Sequence, residues 1–171
     1  MYTLAPDEKK SLVMIYTLNS LVRGEIVTKS NVRVSIWLRT QGVPQYMHLL
    51  NADILLLGGS PIKSLSYSEF YFSTPQAIAF HLAPSESDPL DYEESEANRT
   101  MMPIDLIVGM FVVHGKIRVS THTDIDASLE MARLAWMSVY DASISNPYLP
   151  QMPVIQVPML LVSPPHVSFA K

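Results

Sequence analysis

"MHLLNADI" at residues 47–54 is nearly rewritten as "MSVYDASI" at 137–144. Met47 stands opposite Met137, Asn51 opposite Asp141, Ala52 opposite Ala142 and Ile54 opposite Ile144. Three more segment pairs match in the same order. They are "VRGEIV" (22–27) with "VHGKIR" (113–118), "VSIWL" (34–38) with "ASLEM" (127–131), and "PQAIAF" (75–80) with "PPHVSF" (164–169). The four offsets run only from 89 to 93. Collinear matches with so little drift read as one structural unit written twice.

Between the two copies lies "ESDPLDYEESEANR" (86–99), rich in Pro, Ser and Glu and without apolar periodicity, which reads as a solvated connector. It divides the chain into a first β-rich unit, 1–85, an acidic linker, 86–99, and a second β-rich unit, 100–171. The linker carries six of the sixteen acids and leaves a body of ten acids and eleven bases. The net charge of −4 therefore belongs to the linker rather than to a binding face.

Each unit reads as about five short strands and one short helix. "SLVMIYTLNSLVRGEIVTKS" (11–30) and "MPIDLIVGMFVVHGKIRVS" (102–120) are rich in β-branched residues and break once in the middle. Gly24 and Gly115 interrupt strand patterns, which suggests a bulge or a close backbone approach. In "DIDASLEMARLAWM" a helix would place Ile125, Leu129, Ala132 and Trp136 on one face, capped by Asp124 or Asp126. The corresponding "NVRVSIWLRTQG" is shorter and would end at Gly42. Strands follow at 46–57 and 137–145, 62–73 and 153–162, and 77–83 and 166–170. The expected fold is mainly β: two small barrel-like or half-barrel units sharing a core about a pseudo-twofold axis.

The chain has 171 residues, 48% of them apolar and 16% charged, a composition that folds. So few charges imply that some apolar surface is covered by a partner or a second copy. The absence of cysteine excludes disulfides and thiolate metal sites. The opening "MYTLAPDEKK" has no secretory pattern. The longest apolar run, "LIVGMFVV" (106–113), is too short to span a bilayer as a helix. A cytoplasmic chain without a membrane segment is expected.

The motifs resemble a small bacterial β-domain family of uncharacterised function. That pattern runs from x-G-x-I through R-x-S-D-x-L-N to V-x-D-A-x-V and a closing V-N-R-x-x-I strand. The matching positions here are Gly24 and Ile26; Arg33, Ser35 and Leu38; Asn51-Ala52-Asp53-Ile54; and Thr74-Pro75-Gln76 leading to Ile78. Ile36 and Arg39 stand where the pattern has Asp and Asn. The second unit keeps Gly115, Ile117, Ser128, Leu129, Asp141-Ala142 and Val167 and loses the arginine. The resemblance implies a β-rich fold and a bacterial origin, and brings no activity with it.

Catalytic signatures are weak. "HTDID" (122–126) could ligate a metal or pair a base with an orienting acid through His122, Asp124 and Asp126, but reads better as a polar loop capping a helix. His48, His81, His114 and His166 sit singly in strand patterns. "GGSP" (58–61) lacks the second glycine of a nucleophile turn, and no phosphate-binding glycine loop is present. No cofactor and no metal is expected. The leading expectation is a non-catalytic binding, adaptor or self-assembly protein with a protein partner or a second copy. The alternative is single-stranded nucleic-acid binding through Arg23, Arg33, Arg39, Lys63 and Trp37 of the first unit. That unit carries seven bases and five acids, thin for phosphate-driven binding.

Overall fold

The computed structural model describes residues 2–122, 124–131 and 136–171. Ten antiparallel strands form a single sheet: β1 (Glu8–Tyr16), β2 (Ser20–Lys29), β3 (Tyr46–Leu56), β4 (Lys63–Ser73), β5 (Ala79–Leu82), β6 (Arg99–Val108), β7 (Phe111–Ser120), β8 (Met137–Ser145), β9 (Ile155–Val162) and β10 (Val167–Ala170). Their spatial order is β10-β6-β7-β8-β9-β5-β1-β2-β3-β4. The first five strands thus lie in the order 5-1-2-3-4, and the last five repeat it as 10-6-7-8-9.

Each half carries the same device between its second and third strands. The β2–β3 register shifts between Arg23 and Glu25, and the β7–β8 register between His114 and Lys116. Two residues therefore oppose one glycine, Gly24 or Gly115. The extra residue is Asn51 or Asp141, each at φ 49°. Asn and Asp tolerate this left-handed conformation better than other side chains. A bulge of this kind bends and twists its strand. Backbone approach is tight: a Cβ on Gly115 would lie 2.6 Å from Val139 Cγ1 and 3.1 Å from the Tyr140 carbonyl. Side chains repeat the pattern too. Asn51 donates to Glu25 at 3.0 Å, and Lys116 donates to Asp141 at 2.9 Å.

Two features differ from the sequence reading. The sheet is open, not closed into a barrel, and the halves do not meet about a twofold axis. A twofold would bring like edges together, whereas here β9 pairs with β5, Ala79 opposite Val162 and Phe80 opposite Leu161. The halves are joined head to tail. The physical reason lies in β1, which is apolar on both faces. Val13 and Ile15 enter a core with β2, β3 and Trp37, while Met14 and Tyr16 enter a second core with β6–β9. Burying the second face requires the other half to wrap over it.

The helices are short, as expected. In the second half α1 (Ile125–Met131) begins after Asp124, whose Oδ1 accepts from the Ala127 amide at 2.9 Å. Ala132 of the expected apolar face lies outside the described residues. In the first half Val34–Arg39 is a 3-10 turn that ends before Gly42. Trp37 O accepts from both the amide and the hydroxyl of Thr40, at 2.9 and 2.6 Å, which closes the turn early.

Candidate functional site at the open sheet edges

The residues expected to face nucleic acid do not form one surface. Trp37 is buried in the first core with Val34 and Leu38. Arg33 donates to the carbonyls of Pro89 and Leu90 in the linker. Arg39 bonds the Asp91 carboxylate and donates to Trp136 O at 2.8 Å. Arg23 is exposed on β2 and Lys63 is exposed at the start of β4.

The linker is mostly exposed, but it is tied down along its length. Glu86 accepts from the Leu12 amide, Asp88 from the Ser35 amide, and Arg118 bonds both Glu93 O and the Glu96 carboxylate. Asp91 is its main anchor. It takes Arg39 from the first half and the Ser138 and Tyr140 hydroxyls, at 2.8 and 2.7 Å, from the second. Burial opposes ionisation of Asp91, yet the hydrogen bonds from Tyr140 and Ser138 and the Arg39 charge outweigh it and hold the carboxyl below its ordinary range. Burial and the same carboxylate push the Tyr140 phenol up.

Tyr16 and His81 lie buried where the halves meet. The His81 Nδ1–H donates to Leu82 O at 2.6 Å, so Nε2 accepts from the Tyr16 hydroxyl at 2.9 Å. Phe111 from the second half meets the Tyr16 ring edge-on at 4.8 Å. Burial pushes the His81 imidazole down to about 4 and raises the Tyr16 phenol. This pair is sealed in the junction, where no substrate reaches it. Among the described residues no group of three His, Asp or Glu could hold a metal ion. Asp124 is occupied as the α1 cap, and the His122 amide donates to Ser120 Oγ.

The exposed apolar surface concentrates elsewhere. An apolar recess of about 730 Å³ lies between the halves, lined by Leu55, Leu57, Met110, Leu149 and Met152. At one end of the sheet β4 is exposed over most of its length, with Leu65, Tyr67 and Tyr71 open to solvent. At the other end Ile107 and Ser168 are open on β6 and β10. Neither β4 nor β10 has a neighbour on its outer side among the described residues.

Comparison with family models, curated proteins and solved structures finds no match in any of the three. The site must be read from its own chemistry. Unpaired strand edges present a row of free amides and carbonyls and template pairing with another chain. Proteins that keep an edge unpaired guard it with charge, proline or a bulge. The stretch Phe70–Ser73 of β4 and all of β10 contain none of these. The sequence places a strand at 62–73. An edge position could not be read there, because it depends on which strands become neighbours. No helix among the described residues is long and apolar enough to cross a membrane.

Proposed function

We propose that the protein is a non-catalytic, cytoplasmic self-assembly or adaptor module, built as a tandem repeat of a bacterial β-domain type and acting by strand addition at its sheet edges. The observation that carries this reading is the edge stretch Phe70–Ser73 of β4, which has no charge, proline or bulge and leaves Tyr71 61% exposed. Main-chain pairing there supplies affinity, and alternate side chains supply specificity. The test is the native mass of the full chain beside a Tyr71→Asp variant. The wild type is expected above the 19.1 kDa of one chain, and the variant at one chain. Wild type at one chain mass across the concentration range overturns the self-assembly reading.

A second reading, single-stranded nucleic-acid binding, has one observation in its favour. His48 stacks on Tyr71 at 4.8 Å and 5°, which puts a pair of flat rings at the solvent face of β3–β4. With Arg33 and Arg39 engaged by the linker, Arg23 and Lys63 would have to supply the charge. Binding of a single-stranded oligonucleotide should then weaken steeply with salt and in Arg23→Ala. Affinity indifferent to both removes this reading.

A further inference from the structure

We infer that the β9–β5 junction inside the chain is the pattern for contact between chains: β4 of one copy pairs antiparallel with β10 of the next, head to tail. The inference rests on the self-assembly reading and fixes its partner as a second copy of this chain.

The equivalence of the two edges follows from register. Phe72 faces Met47 in β3, and Val162 faces Met137 in β8. Met47 and Met137 are four residues before Asn51 and Asp141, so Tyr71 and Phe72 occupy the positions of Leu161 and Val162. At the other edge Phe80 faces Ile15 and Phe169 faces Leu106. Val13 faces Gly24 and Ile104 faces Gly115, so Ile15 and Leu106 are also equivalent. Ser168 and Phe169 therefore occupy the positions of Ala79 and Phe80. Carrying the internal pairs across gives Phe72 opposite Ser168 of the next copy, and Tyr71 opposite its Phe169.

Burial at the equivalent positions shows what each edge lacks. Leu161 is fully buried against β5, while Tyr71 in its place is 61% exposed. Phe80 is fully buried under β9, while Phe169 is only partly covered. Tyr16 is 1% exposed because the other half packs over β1, whereas Ile107, its counterpart on β6, is 58% exposed. Each open position thus keeps an apolar residue where its counterpart is covered by the neighbouring half. Like edges do not meet inside the chain, so the contact is heterologous; repeated, it closes into a ring if its rotation divides a full turn and otherwise runs on as a filament. The copy-to-copy junction is the more polar one. Asp105, bonded to His114 at 2.6 Å, replaces Met14, and no linker straps it.

Because the chain has no cysteine, the register can be read by disulfide trapping. Tyr71→Cys and Phe169→Cys are made as separate full-length variants, oxidised alone and then mixed. A head-to-tail edge predicts a disulfide-linked dimer in the mixture and none in either variant alone. Phe70→Cys mixed with Ala170→Cys repeats the test one residue along the strand, where no packing is lost at Ala170. Dimers in a single variant alone would show like edges meeting, which overturns the head-to-tail contact and leaves self-assembly standing. No trapping in either mixture, with wild type at a multiple of the chain mass, overturns the edge pairing alone. No trapping with wild type at one chain mass overturns both readings.

Discussion

Asn51 and Asp141 share one backbone conformation, φ 49° at each, opposite Gly24 and Gly115 in the same two-against-one bulge. The left-handed conformation costs a β-branched residue roughly 1–2 kcal/mol and glycine nothing. Asn51→Val and Asp141→Val should each lose about that much stability in urea denaturation, while Asn51→Gly and Asp141→Gly stay within about 0.5 kcal/mol of wild type. Equal tolerance of valine and glycine would show that the bulge does not hold these residues.

The two bulge glycines should respond differently to alanine. A Cβ on Gly24 meets its neighbours at 3.4 Å, an ordinary contact. A Cβ on Gly115 meets the fully buried Val139 at 2.6 Å, and that side chain has nowhere to move. Overpacking of this kind costs about 1–3 kcal/mol. Gly115→Ala should therefore lower the denaturation midpoint clearly more than Gly24→Ala.

Acid should weaken the junction through His81. The unfolded chain takes up the proton near the ordinary imidazole value, while the folded chain takes it up only at about 4. Stability is complete above about pH 6.5 and falls as pH drops toward 4, by a total of about 3 kcal/mol. Asp91, whose folded carboxyl titrates below its ordinary value, adds a further loss below that window, as pH falls under about 4. The double variant Tyr16→Phe/His81→Leu removes both polar partners together and should flatten the slope between pH 6.5 and 4 in denaturation curves. A slope as steep as that of wild type would place the acid sensitivity elsewhere.

The linker should behave as a strap rather than a free spacer. Arg33→Ala and Arg39→Ala each remove an anchor and leave the sheet untouched. Cleavage of the native chain by a glutamate-specific protease within 86–99 should become several-fold faster in both. Unchanged cleavage would mean that Arg33 and Arg39 do not hold the segment.

Much of the sheet was legible in the residues. Val, Ile, Tyr and Thr marked the strands, and Gly24 and Gly115 inside strand patterns marked the bulge, because a glycine there is a local requirement. The left-handed Asn51 and Asp141 opposite them were not read, because that pairing depends on the neighbouring strand. What stayed hidden depends on partners distant in sequence. That Met14 and Tyr16 face a second core cannot be read from β1 alone, since an all-apolar strand gives no sign of what covers its second face. For the same reason the head-to-tail joint was missed in favour of a twofold axis. The arginines were misplaced because the linker's acids were counted as solvated. The Asp91 side chain is in fact largely buried, where it binds Arg39 and ties the two halves together.

The most direct test of the open edges is hydrogen exchange on the native, unmodified chain at working concentration, resolved to single strands. Inside the chain the edges of β5 and β9 are covered by each other. If β4 and β10 meet between copies, segments 71–73 and 167–169 should be protected comparably to 79–80 and 161–162, and should lose that protection on dilution. Rapid exchange of 71–73 and 167–169 at every concentration, beside slow exchange at the β5–β9 junction, would contradict the account.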